Sequence, residues 1–455
     1  MTSADVLILG GGSGGYACAL RSAELGLSVI LIDKDKLGGT CLHRGCIPTK
    51  ALLHAAEVAD SSRESEKFGV KTTFEGIDMP KVNEYRDGVV ARLYKGLQGL
   101  IKSRDVTFVE GEGKLVGANT VEVNGVTYTG KNVVLATGSY AKSIPGLEIS
   151  DRIMTSDQAL DLDYVPKSVI VLGGGVIGVE FASVWKSFGA DVTVVEGLPH
   201  LVPNEDEAAS KALERAYRKR GINLILGTKF ASATQNDSSV EITLEDGKVL
   251  SAELLLVAVG RGANTANMGY EENGVAMDRG WVLVNERLAT NVPGIFAVGD
   301  ITPGLQLAHR GFQHGIFVAE EIAGMNPIVI ADINIPKVTY CEPEVASVGM
   351  NEAEARAAFG DNVNVYEYNL GGNGKSQILG TAGFIKLVAQ KDGPVVGIHM
   401  VGSRVGEQIG EAQLIVNWEA YPEDVATLIH AHPTQNEAMG EAHLALAGKP
   451  LHSHA

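Results

Sequence analysis

The stretch VLILGGGSGG at residues 6–15 has a counterpart, VIVLGGGVIG at residues 169–178, which lies 163 residues further along the chain. In both copies an apolar strand runs into a glycine-rich turn, a helix follows, and a second apolar strand ends in an acid. The acids are Asp33 and Glu196, each 23 residues after the first glycine of its turn. This repeat predicts two domains of the same fold.

The glycines have separate tasks in a dinucleotide-binding turn. The first makes the turn, the second lets the backbone approach a pyrophosphate, and the third lets helix pack on strand. The helix N-terminus then faces the phosphates, and the acid accepts a hydrogen bond from a ribose hydroxyl. Such a turn can also serve close packing alone, and Asp33 also fits a solvated acid in a charged run. Because the whole order occurs twice, we predict two sites, formed by Gly10, Gly12, Gly15 and Asp33 and by Gly173, Gly175, Gly178 and Glu196.

Two dinucleotide sites in one chain indicate hydride exchange, for which a flavin and a nicotinamide are the usual pair. The residues after Glu196 are Gly-Leu-Pro-His, without an arginine for a 2′-phosphate. NAD is therefore favoured over NADP.

Both copies end in the same way. Asn124-Gly125 and Asp246-Gly247 predict hairpins, and each is followed by a buried strand that leads to glycine. After the second copy, the apolar stretch 294–299 carries Asp300 at its carboxyl end, where ligands bind in doubly wound sheets.

The pattern changes near residue 336 to longer strands and two helical stretches, around 407–418 and 435–446. We expect an α/β chain with two Rossmann-like domains related by the repeat and a C-terminal α+β domain. The predicted bounds are 1–148 with 265–335 for the first domain, 149–264 for the second and 336–455 for the third.

Composition excludes several classes of function. The chain has 455 residues, with 55 acidic and 38 basic side chains and a net charge of −17, so nucleic acid and anionic membranes are poor partners. No apolar run approaches the 18 or so residues of a membrane span. Four cysteines are too few for a secreted disulfide framework. Since no secretion signal is visible at the N-terminus, we expect a soluble, cytoplasmic protein.

One cysteine pair, Cys41 and Cys46, lies in GGTCLHRGCIPTK at residues 38–50, before a helix predicted over 50–59. Positions five apart on a regular helix point about 140° away from each other, so a disulfide requires a distorted turn, which Gly45 and Pro48 could supply. The helix N-terminus and Arg44 favour a thiolate. The alternatives are inert buried cysteines or a partial metal site, but a second ligand pair is missing and we expect no metal.

A base is predicted near the C-terminus, in the stretch HAHPTQNE at residues 430–437. A histidine oriented by Glu437 is the arrangement expected where a thiol must lose a proton near neutral pH. Thr434 and Glu437 also have the spacing of a capping box, so Glu437 could be structural alone. Spacing does not choose between His430 and His432.

Together these motifs resemble the pyridine nucleotide-disulfide oxidoreductases, and the likeness covers essentially the whole chain. It includes ATGS at 136–139, the segment 294–300, LAH at 307–309 and the segment 340–349. The resemblance implies FAD in the first repeat, NAD in the second and a homodimer formed through the third domain. It adds Thr137, Gly138, Asp300 and Ala308 to the FAD site and Gly260 to the NAD site.

Within the family the chain is similar to the branch, in its actinobacterial form, that oxidises dihydrolipoyl groups with NAD as acceptor. The resemblance selects His432 with Glu437 as the base and places it opposite the disulfide of the other subunit. It implies that the substrate thiolate attacks Cys41 while Cys46 faces the flavin, and it pairs Lys50 with Glu180 near flavin N5. Without the resemblance, Lys50 would be interpreted as an exposed helix lysine and Glu180 as an ordinary helix acid. The implied partner is a lipoyl-bearing acyltransferase core or a lipoyl carrier protein.

The chain departs from many members at three positions, with His43-Arg44 in place of Asn-Val and Asp33 in place of Glu. Two alternative functions remain: a disulfide reductase with another thiol substrate, and a flavin and NAD redox sensor without thiol turnover. Mercuric-ion reduction would require cysteines in the tail, and residues 444–455 contain none.

Overall fold

The computed structural model describes residues 2–452, so the outermost residues of the predicted first and third domains, 1 and 453–455, lie outside it. The first part of the chain forms β1 Ser3–Leu9, α1 Ser13–Glu24, β2 Val29–Asp33, α2 Gly39–Arg44, α3 Cys46–Arg63, α4 Met79–Ser103, β3 Thr107–Glu110, β4 Gly113–Gly117, β5 Thr120–Val123, β6 Val126–Leu135 and β7 Ser139–Ala141.

The first sheet has the order β3-β2-β1-β6-β5-β4. Strand β1 is parallel to both neighbours, β2 and β6. Residues 6–9 are at most 2% exposed, since a parallel sheet is covered on both faces and its central strand is apolar throughout. The hairpin predicted at Asn124-Gly125 is confirmed between β5 and β6, and both turn residues have positive φ.

The second copy forms β8 Ile153–Met154, α5 Ser156–Ala159, β9 Ser168–Leu172, α6 Val176–Phe188, β10 Asp191–Glu196, α7 Glu207–Lys219, β11 Asn223–Leu226, β12 Phe230–Gln235, β13 Val240–Leu244, β14 Val249–Ala252, β15 Leu254–Val257 and β16 Arg261–Ala263. Its parallel sheet has the order β11-β10-β9-β15-β8, and β12-β13-β14 form a separate antiparallel sheet. Strand, glycine turn, helix and strand thus recur as the repeat predicts.

The chain then returns to the first sheet through β17 Met277–Asp278, β18 Trp281–Val282, β19 Ile295–Ala297 and α8 Ala308–Ile322. Strand β19 lies parallel to β6. A short 3-10 turn, Gly299–Ile301, places Asp300 just beyond the carboxyl end of β19.

The C-terminal part forms β20 Lys337–Thr339, β21 Glu344–Gly349, α9 Glu352–Phe359, β22 Val363–Asn369, α10 Gly374–Leu379, β23 Phe384–Gln390, β24 Val395–Gly402, α11 Val405–Asn417, α12 Pro422–Val425 and α13 Glu437–Leu446. Its antiparallel sheet has the order β20-β21-β24-β23-β22, and helices α11 and α13 pack on it around a core of its own. This is the predicted α+β unit. None of the helices within residues 2–452 combines the length and apolar character needed to cross a bilayer.

Candidate active site

The two cysteines lie on two different helices. Cys41 is in α2, Cys46 is the first residue of α3, and the chain breaks helical geometry between them at Gly45, where φ is −143° and ψ is −115°. A Cβ at Gly45 would lie 2.9 Å from the Thr40 carbonyl oxygen, so a larger residue would push the turn apart. The distortion that pairing requires is therefore present, and α3 begins four residues before the predicted start at Lys50.

Cys41 and Cys46 are free thiols with different acidity. A hydrogen bond from Cys41 and the nearby Lys50 ammonium lower the pKa of Cys46 to about 7, against the opposing effect of burial. The same hydrogen bond, together with burial, raises the pKa of Cys41. These directions favour the thiolate at Cys46 over a thiolate at Cys41 in the reduced pair.

Arg44 does not have the role that its position suggests. Its guanidinium pairs with Asp35, and the cation acting on Cys46 is Lys50 instead. The neighbouring His43 ring bonds the Leu37 carbonyl oxygen at 2.8 Å and packs edge-on against the Tyr94 ring. Both residues therefore tie the cysteine turn back to the loop after β2.

Lys50 and Glu180 form an ion pair although they are 130 residues apart. The Lys50 Nζ atom donates to Glu180 Oε1 at 2.9 Å and to Oε2 at 2.8 Å. The Glu180 side chain is 3% exposed. Lys50 is therefore not a surface lysine, and Glu180 is not an ordinary helix acid. The pair that they form lies beside Cys46.

The first glycine turn has room where a pyrophosphate would approach. A Cβ at Gly10, which has φ +111°, would lie 2.2 Å from the Ala136 carbonyl oxygen, and one at Gly15 would lie 1.7 Å from the Gly10 oxygen. A Cβ at Gly12 would meet only the Gly39 Cα, at 4.0 Å. Gly12 is also the N-cap residue of α1, and no described side chain caps this helix. Its first backbone N–H groups can therefore bind an anion.

The second turn repeats this layout. A Cβ at Gly173 would lie 2.3 Å from the Ala258 carbonyl oxygen and one at Gly178 would lie 1.9 Å from the Gly173 oxygen, whereas Gly175 faces open space within the described chain. Asp33 and Glu196 also match, because the Asp33 carboxylate accepts from the Gly11 backbone N–H at 2.5 Å and the Glu196 carboxylate from the Gly174 N–H at 2.6 Å. The residues of both turns fit a dinucleotide.

Other predicted cofactor residues lie at the carboxyl ends of the strands. Ser139 Oγ donates to Asp300 Oδ2 at 2.5 Å, and the Asp300 charge helps raise the pKa of Cys41, so the acid lies near the redox pair. Thr137 Oγ1 and the Tyr270 hydroxyl are hydrogen-bonded at 3.0 Å. Gly138 and Gly260 have positive φ after β6 and β15, and Ala308 is the first residue of α8.

The C-terminal histidines have different surroundings. His432 Nδ1 is 2.8 Å from Glu437 Oε1 and its side chain is 78% exposed. His430 Nε2 is 2.7 Å from Glu411 Oε1 and its side chain is 12% exposed. His432 is thus much the more exposed of the two histidines. Among the described residues of a single chain, His432 is not one of the main groups that shift the pKa of either thiol.

Sequence reasoning assigned no role to Tyr340 or Ser139, although both lie in motif segments. Tyr340 contacts both members of the Lys50–Glu180 pair, and the sequence around it contains no pattern that predicts these contacts. Within residues 2–452, no group of three or more His, Cys, Asp or Glu side chains is arranged to hold a metal ion.

Two family models match the chain and define its class. The pyridine nucleotide-disulphide oxidoreductase model matches residues 4–315, and the dimerisation domain of the same family matches residues 335–443. The chain belongs to this family, and the predicted family and fold class are confirmed. The family uses FAD and NAD, and its dimerisation domain supports a homodimer.

The chain is also similar to individual proteins of the family. Dihydrolipoyl dehydrogenase of Bacillus subtilis (strain 168) is 41% identical over 99% of both chains. The mitochondrial dihydrolipoyl dehydrogenase 1 of Arabidopsis thaliana is 39% identical, over 98% of this chain and 91% of that one. Among solved structures, LpdA from Mycobacterium tuberculosis superimposes with a TM-score of 0.91 at 26% identity, over 98% of this chain and 100% of that one.

Proposed function

We propose that this protein oxidises protein-bound dihydrolipoyl groups to the lipoyl disulfide and reduces NAD to NADH, with FAD held by the first glycine turn. The observation that carries the proposal is the geometry of the redox centre, in which two cysteines flank the break at Gly45 and the Lys50–Glu180 ion pair lies beside Cys46. The dihydrolipoyl dehydrogenase relatives, which match over nearly the whole chain, support this substrate.

Each side chain then has a defined task. His432 takes a proton from a substrate thiol while Glu437 holds the opposite ring nitrogen. The substrate thiolate attacks Cys41 in the oxidised pair, the Cys41–Cys46 bond breaks, and Cys46 leaves as thiolate. The second substrate thiolate displaces Cys41 and closes the lipoyl disulfide. Two electrons and two protons leave the substrate; NAD takes up two electrons and one proton, and the other proton is released to solvent.

The redox ring of FAD, when bound, would accept the two electrons from the thiols and pass them on to NAD. Asp33 and the N–H groups of α1 would hold its ribose and pyrophosphate. Lys50 would place a cation, steadied by Glu180, beside the ring and Cys46. The second turn, with Glu196, would hold NAD.

We also propose the domain division 1–148 with 265–335 for FAD, 149–264 for NAD and 336–455 for dimerisation. The pairing of β19 with β6 supports the return of residues 265–335 to the first unit. The proposed partner is a lipoyl-bearing acyltransferase core or lipoyl carrier protein, and the proposed location is the cytoplasm, because the cysteines form a thiol pair rather than a disulfide framework.

An anaerobic titration with dihydrolipoamide, followed by NAD, tests the function. We expect a long-wavelength band from a thiolate beside the flavin, and then NADH. The Cys46→Ser variant should bind FAD, lose lipoamide turnover and keep some electron transfer from NADH to ferricyanide. Retained lipoamide turnover in this variant would contradict the thiol mechanism. Bound FAD without the thiolate band would favour another thiol substrate or the sensor.

A further inference from the structure

Tyr340 joins the C-terminal unit to the redox centre of the same chain. It follows β20 directly, and its backbone N–H donates to Glu180 Oε1 at 2.9 Å. Its ring faces the Lys50 Nζ atom, which lies 4.8 Å from the ring centroid. One residue thus contacts both members of the ion pair.

The two contacts restrain the pair in different ways. The backbone N–H occupies a lone pair of Glu180 Oε1 that Lys50 does not use, which fixes the carboxylate in a nearly fully buried position. The ring attracts the ammonium group through its negative face, an interaction that strengthens when the cation is removed from water. A lysine ammonium on a four-carbon stem is otherwise mobile.

The position of this ammonium matters to the thiols. Its charge lowers the pKa of Cys46, and a Coulombic effect falls with distance. A Lys50 side chain that moved away from the thiol while staying bonded to Glu180 would stabilise the thiolate less.

We propose that Tyr340 is a positioning residue, whose ring and backbone N–H hold the Lys50 ammonium between Glu180 and Cys46. The inference rests on the proposed redox roles of Lys50 and Cys46. It gives the C-terminal unit a role in the redox centre of its own chain, separate from the contribution of His432 to a partner.

The test compares Tyr340→Leu, which removes the ring and keeps the N–H, with Tyr340→Phe, which keeps both. Each FAD-loaded protein is reduced anaerobically by two electrons, and the thiolate–flavin band is titrated with pH. A thiolate that loses part of its stabilising cation needs a higher pH to form. We therefore expect the pH midpoint of the thiolate–flavin band to rise by about 0.5 to 1 pH unit in Tyr340→Leu. The midpoint in Tyr340→Phe should match that of the wild type.

A neighbouring carboxyl group must be controlled. Burial raises the pKa of Glu344 to about 7, against the hydrogen bond from the Gly406 N–H, with the Glu342, Glu407 and Glu57 charges adding to the rise. Because this titration overlaps that of Cys46, the comparison is repeated in a Glu344→Gln background. The remaining groups that act on Lys50 and the two thiols are Glu180, Asp300 and Tyr340 itself, and burial raises the pKa of Tyr340.

Equal midpoints for Tyr340→Leu and Tyr340→Phe would overturn the inference. If Tyr340→Leu does not fold, Tyr340→Met replaces it, since a flexible side chain fills the same space without a ring. The Tyr340→Met change is also made in the Lys50→Met variant, where it should not shift the pH midpoint further. An equal shift of the midpoint in that variant would show that the effect does not depend on Lys50. The absence of a thiolate band in the wild type would contradict the proposed function as well, whereas a wild-type band with equal variants would refute Tyr340 alone.

Discussion

The carboxylate of Glu437 serves two partners with its two oxygen atoms. Oε1 bonds His432 Nδ1 at 2.8 Å, and Oε2 accepts from the Thr434 N–H at 2.7 Å. The Thr434 hydroxyl donates to the Ala431 carbonyl instead, so only half of the predicted capping box forms. The structural and the catalytic interpretation of this residue are therefore compatible.

Replacing Glu437 by glutamine tests its role as the orienting group. The amide oxygen can still accept from Thr434, but it lacks the charge that stabilises a protonated His432. We expect dihydrolipoamide turnover to fall about a hundredfold, with electron transfer from NADH to ferricyanide unchanged.

The matched control is Glu441→Gln on the same helix. Glu441 pairs with His452 Nδ1 at 2.8 Å, the same type of contact away from the proposed site. Its turnover should stay near wild type. An equal loss in both variants would show a general effect on α13 rather than on the base.

Among the elements, each glycine turn combines several crowded glycines with one open glycine, Gly12 in the first turn and Gly175 in the second. The crowded glycines let helix and strand approach closely, and the open one faces the space at the start of the helix. Within the six residues of each turn, packing and the proposed ligand binding therefore fall to different glycines, because only Gly12 and Gly175 have space beside their Cα atoms.

This separation predicts opposite outcomes for two alanine substitutions in the second turn. Gly178→Ala should destabilise the fold by about 1–3 kcal/mol or more, because its Cβ would overlap the Gly173 carbonyl oxygen. Gly175→Ala should change the unfolding free energy by less than about 1 kcal/mol and raise the KM for NAD about tenfold, because its methyl group occupies the pyrophosphate space. Denaturant unfolding and NAD titration measure both effects. Unchanged NAD affinity in Gly175→Ala would argue against a dinucleotide there.

For the whole molecule, we expect the proposed site to be complete only in the dimer. His432 is largely exposed, and it is not among the main groups that shift the pKa of Cys41 or Cys46 within the described chain. The dimerisation domain supports a homodimer, in which a C2 axis brings the same two surfaces together twice. We expect the base of each protomer to serve the cysteine pair of its partner.

Hybrid dimers test this arrangement. Cys41→Ser and His432→Gln variants should each be inactive in lipoamide turnover. When coexpressed with different tags, they should give a hybrid with one complete site. Random pairing then restores about one quarter of wild-type activity, because half of the dimers are hybrids with one working site of two. If the histidine served its own chain, every hybrid would stay inactive.

Sequence patterns alone predict the repeated nucleotide-binding units, both hairpins, the strand ending before Asp300 and the α+β character of the C-terminal part. Each of these depends on short-range patterns: glycine where positive φ or close approach is needed, apolar runs where a strand is buried on both faces, and a short turn with glycine that joins two paired strands. The cysteine spacing also required the break that occurs at Gly45.

Which charged groups meet is visible only in the folded chain. The fold paired Arg44 with Asp35 and left Lys50 to act on Cys46, placed Tyr340 against an ion pair formed across 130 residues, and buried His430 while exposing His432. Local propensity carries no information about such contacts, because the distance between two charges in the folded chain depends on topology rather than on their separation in sequence. Burial then sets the strength of each interaction, since it removes the water that would screen it.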